Sequence, residues 1–438
     1  MDNSSGTTDE RLKKILDLVE EYEKAKAFVA PRDSRRVPYA GRRFDHQEIR
    51  AGVEAVIEGW LTWGSRGTRF EEALGKTVGV RHVSGVNSGS SANLVAFSAL
   101  MSPTLKDPIR PGDEILTVAA SFPTTVNPII QSGCVPVFVD IEMETYVAQI
   151  DQLASAVSDR TRAIVMAHTL GVPFDLDAVR ELCERKNLYL IEDNCDALGS
   201  LYKGKMTGSF GDLSTLSFYP AHHITMGEGG AVLTNDPLLS RAVKSIRDWG
   251  RDCWCESGVD NTCKKRFGWK LGELPQGYDH KYIYSHLGYN LKATEVQAAI
   301  GLVQLGKLAE FTQARRRNWK RLRAGLAPLE EFLILPRATE GSDPSWFGFM
   351  VTLKECSPVD RRDLVRFLED HGIQTRPLFA GNLLRHPAYR TVPHRVIGNL
   401  PETDAVMERG FFVGVYPGLG DAQIDHVIEQ FHAAFSKA

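Results

Sequence analysis

Three sets of residues in this sequence are of types, and at spacings, that support chemistry. The first is the run Asp193-Asn194-Cys195-Asp196, which follows a β-rich stretch at residues 188–192. A carboxylate at the carboxyl end of a strand can pair with a protonated ring nitrogen and make that ring an electron sink. An aspartate there equally serves as a helix cap. The second is Ser217-Phe218-Tyr219-Pro220-Ala221-His222-His223, ahead of Gly227-Glu228-Gly229-Gly230. A neutral imidazole such as that of His222 can take a proton, and a satisfied structural histidine is the alternative role. The third is Cys253-Trp254-Cys255 and, after seven residues, Cys263. Three thiols this close can converge on zinc or on iron–sulfur, although no second C-x-x-C pair makes a zinc ribbon. Cys195 is the candidate fourth ligand, two residues beyond Asp193. Cys134, Cys183 and Cys356 lie in or beside apolar stretches and are expected to be inert core thiols.

Two weaker segments accompany these. Asn87-Ser88-Gly89-Ser90-Ser91-Ala92-Asn93 precedes an apolar helical run. Such a turn presents free backbone N–H groups and a positive dipole end to a phosphate, or is a plain N-cap. Phe122, in Phe122-Pro123-Thr124-Thr125, either stacks on a flat ligand or joins the core.

The elements that must position these groups follow from periodicity. Short β-rich runs at 82–86, 114–118, 135–140, 163–168, 188–192, 213–218 and 231–233 alternate with helical patterns. That alternation implies an α/β chain with a mostly parallel sheet covered on both faces, and ligands beyond the carboxyl ends of the strands. Residues 10–29 read as an amphipathic helix and Arg32 to Arg43 as a basic linker, so residues 1–47 stand apart from a large domain at 48–330. Within it, 249–290 is aromatic, Cys-containing and aperiodic, too long for an ordinary loop and too aromatic for disorder. Long helices are expected over 292–330, ending in Arg315, Arg316 and Arg317, and a small α/β unit over 331–438.

A net charge of -3 and a sequence pI near 6.5 give no electrostatic case for nucleic acid or an acidic membrane surface. No apolar run is long enough to span a bilayer, and the first residues are polar, so a cytoplasmic location is expected. Seven cysteines in such a chain argue against a disulfide framework.

In chain order, a phosphate turn, an aromatic, a strand-end Asp and a Ser before a Gly-rich segment resemble the sugar-nucleotide aminotransferase family from about residue 45 onward. That family has fold type I of the vitamin B6 enzymes: an aspartate aminotransferase-like large domain with a seven-stranded, mostly parallel sheet, plus a small C-terminal α/β domain. Its members carry the cofactor on a Lys five residues after the Ser. Here that position is His222, and no Lys lies between Met206 and Val243. The departure resembles the family's 3-dehydratase branch, which uses pyridoxamine phosphate (PMP) in place of lysine-bound pyridoxal phosphate (PLP). The resemblance implies that Gly89, Ser90 and Ser217 hold the phosphate, Phe122 stacks on the ring, and Asp193 pairs with the ring nitrogen. It places Asp196 near the ring hydroxyl and makes His222 the general base. Asn290 matches a residue that reaches the phosphate of a neighbouring subunit, which implies a homodimer.

The spacing Cys195, fifty-seven residues, Cys253, one, Cys255, seven, Cys263 resembles the 2Fe–2S ligand set of that branch's reductase-coupled subgroup. The implied reaction is removal of the C3 hydroxyl of CDP-4-keto-6-deoxyglucose, in deoxysugar biosynthesis for lipopolysaccharide O-antigen. Its electrons would come from an NAD(P)H-dependent flavin and iron–sulfur reductase. A TDP-linked 4-keto sugar, an ordinary sugar-nucleotide aminotransferase and a non-enzymatic iron–sulfur protein are the alternatives. Val172-Pro173 and Pro377 depart from the subgroup's pattern, which bears on the substrate if those loops touch it.

Overall fold

The computed structural model describes residues 8–29, 35–255 and 258–436. Short runs, buried over nearly their whole length, form the strands of the central sheet. In chain order these are β1 (His82–Val86), β2 (Glu114–Val118), β3 (Val135–Val139), β4 (Thr161–Ala167), β5 (Tyr189–Asp193), β6 (Leu213–Ser217) and β7 (Gly230–Thr234). Each lies within two residues of its expected place. Their order across the sheet is β1–β7–β6–β5–β4–β2–β3. β7 runs antiparallel to both neighbours and the other pairs are parallel.

Alternation along the strands divides the core. On β4, Ala163 and Val165 face one apolar cluster while Ile164 and Met166 face another. The first cluster is covered by α4 (Gly89–Leu100), which leaves the carboxyl end of β1. The second continues without a break into the C-terminal region, through Phe349, Phe411 and Val413. That region has its own four-stranded antiparallel sheet, in the order Leu333–Ile334, Gly348–Leu353, Gly410–Gly414, Thr375–Arg376. It also lends Arg395–Val396 to the edge of the large sheet as an eighth strand, parallel to β3. The seven-stranded expectation is corrected to that extent: a two-residue strand carries no legible period.

A single helix, Glu295–Leu326, stands where several were expected. Its 32 residues extend for about 48 Å. Thr294 and Gln297 form a capping box at its start. The Glu295 carboxylate accepts backbone N–H bonds from Gly64, Arg66 and Gly67 at 2.7–2.9 Å, tying this helix to the positive end of helix Ser65–Val78. Farther along, Asn318 donates to the carbonyls of Val415, Tyr416 and Leu419, so the same helix reaches the C-terminal sheet. Among the described residues no helix is long and apolar enough to cross a membrane.

The 249–290 segment is held by side chains rather than by repeating structure. His280 is buried, hydrogen-bonded to Asp252 at 2.6 Å, and packed against Trp254 and Trp269. Arg266 grips Asp279 with a two-bond fork at 2.9 and 2.7 Å.

Candidate functional site

The carboxyl ends of β1, β5 and β6 open into a cleft of about 470 Å³. Seven of the candidate residues line it: Gly89, Ser90, Phe122, Asp193, Asp196, Ser217 and His222. Cys195 lines it too. The turn between β1 and α4 is closely fitted. A Cβ on Gly89 would sit 2.4 Å from the Cβ of Ser217, and one on Gly230 would sit 2.4 Å from the carbonyl oxygen of Ser88. Only glycine allows the helix N-terminus, Ser217 and β7 to meet there. Ser88 caps α4 by accepting from the Ser91 N–H, and the Ser90 hydroxyl donates to Thr124. The first amides of α4 have no intrahelical carbonyl to bond and face this end of the cleft, as a phosphate requires.

Asp193 is nearly fully buried at the end of β5 and is held from four sides. One oxygen accepts from Asn93 Nδ2 at 2.8 Å and Thr125 Oγ1 at 2.6 Å. The other accepts from the Cys195 N–H at 3.2 Å and, weakly, from Thr215 at 3.5 Å. Thr215 also donates to Asn93 Oδ1 at 2.6 Å, so the clamp is itself braced. Asn93, Thr125 and Thr215 were not singled out from sequence. A polar Asn inside the otherwise apolar α4 was the available signal.

Asp196 and His222 face each other, Oδ1 to Nε2, at 3.7 Å. Burial, reinforced by the Asp193 charge, pushes the Asp196 carboxyl up to about 8. Burial, with the Arg315 guanidinium adding to it, pushes the His222 imidazole down to about 4. Both are therefore neutral at pH 7. Asp196 Oδ2 and His222 Nδ1 are buried without a hydrogen-bond partner among the described residues, the mark of a site shaped for a polar guest. His223 instead points away, its Nε2 2.5 Å from the Ser345 carbonyl. Arg315, in the basic run Arg315 to Arg317, is 1% exposed. It donates to the carbonyls of Trp346, Phe347 and His222 beneath the cleft. Phe122 is half exposed at the start of helix Pro123–Gln131, edge-on to Phe379 at 6.2 Å.

The donor set fits a B6 phosphate: an amide-rich cup, a clamped carboxylate, an aromatic and a free base share one cleft. No lysine lines it among the described residues.

The cysteines are not assembled in the same way. Cys253 and Cys255 share a hydrogen bond and line a neighbouring cavity of about 590 Å³, with Trp60, Arg247, Trp249 and Lys292. Burial raises the Cys253 thiol. At Cys255 burial acts the same way but is outweighed by hydrogen bonds from Thr262 and Cys253, which hold the thiol below its usual range. The Cys263 sulfur accepts from the Lys265 N–H. Cys195 lies in the cofactor cleft, its thiol raised by burial and by two aspartates. Among the described residues no group of three or more Cys, His, Asp or Glu is placed to hold a metal ion. Cys134 and Cys183 are buried as expected, but Cys356 is exposed, in the turn after strand Gly348–Leu353. Asn290 also lies outside the cleft, exposed and bonded to Lys292.

A model of the DegT/DnrJ/EryC1/StrS aminotransferase family matches residues 43–432. The chain is 54% identical over 400 residues to "Lipopolysaccharide biosynthesis protein RfbH" of Salmonella typhimurium, covering 91% of this chain and 92% of that one. It is 52% identical over 429 residues to the "dTDP-4-dehydro-2,6-dideoxy-D-glucose 3-dehydratase" of Saccharopolyspora spinosa, covering 97% and 92%. The fold superposes on the E. coli GDP-4-keto-6-deoxy-D-mannose-3-dehydratase structure with bound hydrated PLP, at a TM-score of 0.82 and 31% identity over 90% and 98% of the two chains. The PLP-dependent, aminotransferase-like α/β fold is thereby the one expected from the motifs.

Proposed function

Because the chain belongs to the DegT/DnrJ/EryC1/StrS aminotransferase family, we propose that it is a nucleotide-sugar 3-dehydratase that works with pyridoxamine phosphate. The observation that carries this reading is the base itself: His222, not a lysine, shares the cleft with the clamped Asp193. Bound pyridoxamine phosphate supplies an amine to condense with the substrate's 4-ketone and a ring that accepts electrons. The chain's residues do the rest. Gly89, Ser90 and Ser217 receive the phosphate, and Phe122 covers a ring face. Asp193, fixed by Asn93 and Thr125, keeps a proton on the ring nitrogen, and Asp196 sits by the ring hydroxyl. Neutral His222 would take a proton from the carbon bearing the amine and could return it to the C3 hydroxyl, which would leave as water.

The test is turnover of CDP-, TDP- and GDP-linked 4-keto-6-deoxy sugars. Loss of the C3 hydroxyl from at least one is expected, with no cofactor fixed to the chain by borohydride. Accumulation of a 4-amino sugar with the C3 hydroxyl intact, or a reduced cofactor adduct on the chain, would overturn the reading in favour of an aminotransferase. CDP and TDP sugars come first, since a relative half identical to this chain is named for a dTDP sugar.

A reductive extension is supported by the thiol spacing and by the Cys253–Cys255 pair. In it Cys195, Cys253, Cys255 and Cys263 bind a 2Fe–2S centre served by an NAD(P)H-dependent flavin and iron–sulfur reductase. Protein reconstituted without oxygen should hold about two irons and two sulfides per chain, and Cys255→Ala should lose them. Background iron in the parent protein would remove this extension and leave the dehydratase standing. A homodimer belongs to the same proposal. Its support is that Asn290 lies outside its own cleft, beside exposed Tyr282, Tyr284 and Leu287.

A further inference from the structure

The acidic and basic side chains of the cleft are unevenly matched. Three acids line it: Asp193, Asp196 and Glu228. Among the lining residues Arg376 is the one lysine or arginine. In the reading above the cofactor phosphate is held by amides and hydroxyls at Gly89, Ser90 and Ser217, which leaves Arg376 for a second anion. We propose that Arg376, seated on Tyr39, binds the diphosphate of the sugar nucleotide. This rests on the dehydratase reading above and deepens it by placing the nucleotide end of the substrate.

The local structure holds Arg376 ready for that role. It ends the strand Thr375–Arg376, which pairs with Gly410–Gly414 and so inherits a fixed backbone. Pro377 follows directly and disfavours the helical region for Arg376, keeping it extended. The residue that departs from the subgroup's pattern thus stiffens the arginine's seat. The guanidinium lies 4.1 Å from the centre of the Tyr39 ring. Tyr39 itself comes from the N-terminal segment, whose bridge between Val37 and Ile373 docks it on the C-terminal sheet. One guanidinium N–H is used on the Thr375 carbonyl at 2.6 Å. No carboxylate pairs with Arg376 among the described residues, so its remaining donors are open to a ligand. Phe379, two residues beyond Pro377, sits at φ +45° and meets Phe122 across the mouth, giving an apolar floor beside the charge. A diphosphate ester carries two negative charges at neutral pH. Placed deeper it would face the Asp193 carboxylate, whereas at Arg376 it gains charge-assisted, fork-like hydrogen bonds.

The experiment titrates the cofactor-loaded protein with CDP, TDP, GDP and UDP, and with the four matching nucleosides, by calorimetry. The parent protein should bind at least one diphosphate more tightly than its nucleoside. Arg376→Met, which keeps the stem on Tyr39, should weaken that diphosphate about 10- to 100-fold and leave the nucleoside unchanged. Arg376→Lys should recover part of the loss, since it restores charge without the fork. Unchanged cofactor absorbance in both variants verifies an intact cleft. Parent-like diphosphate binding by Arg376→Met overturns the assignment while leaving the dehydratase reading intact. So does an equal loss of nucleoside binding, which would mean that the side chain only shapes the cleft. A parent protein that binds none of the four diphosphates removes the sugar-nucleotide reading itself, and this inference with it.

Discussion

His222→Ala should slow exchange of the cofactor's methylene protons with solvent by about 10²–10⁴-fold, the usual worth of a positioned general base. Fold and cofactor affinity should be kept, because the phosphate cup and the Asp193 clamp use none of the His222 side chain. The pH dependence sharpens the expectation. Burial holds the imidazole at about 4, so the base form persists at every pH above that value. As pH falls through about 4 the ring takes a proton and exchange should fail. An ordinary exposed histidine would give its acid limb near 6.5. Deuterium incorporation followed by mass spectrometry, from pH 3.5 to 8, reads both quantities. Retention of most of the exchange in His222→Ala would mean that another group is the base. His223 is a poor substitute, since its Nε2 is committed to the Ser345 carbonyl.

Asp193→Asn should cost a comparable factor by a different route. The carboxylate accepts from Asn93, Thr125, Cys195 N–H and Thr215, and every one of these partners is a donor. An amide NH₂ in place of either oxygen sets donor against donor and removes the charge that holds the ring proton. Breaking a buried, hydrogen-bonded charge pair typically costs about 3–5 kcal/mol. At 1.36 kcal/mol per tenfold, that is about 10²–10⁴ in exchange rate if it falls on the transition state. The same deuterium assay measures it, alongside cofactor affinity. A rate within a factor of about ten of the parent, with the cofactor bound, would show that this carboxylate is not the ring nitrogen's partner. Thr125→Val offers a milder companion. It removes one 2.6 Å bond to Asp193 but leaves the charge in place, so its loss should be far smaller.

What the sequence by itself determined about this protein is local. The seven main strands lie within two residues of their expected positions, because a short β-rich run between helical patterns needs no partner to be recognised. Asp193, Ser217 and His222 were legible because each stands at or just after such a run, where an α/β sheet puts its chemistry. Which side chains meet was decided only by the tertiary structure. Asn93 and Thr125 reach Asp193 across 100 and 68 residues because the helices that follow β1 and β2, Gly89–Leu100 and Pro123–Gln131, carry them to the carboxyl end of β5, and no periodicity encodes strand order. Arg315 stands in sequence as one of three consecutive arginines, yet one face of a 32-residue helix passes beneath the cleft, and that face carries it. The pairing of Tyr39 with Arg376 joins two segments that no linear motif connects. The cysteines show the same division from the other side. Their spacing is visible in the chain, but the fold places Cys195 in one cavity and Cys253 with Cys255 in another. Spacing sets which groups are available, and packing of the intervening elements sets which of them can touch.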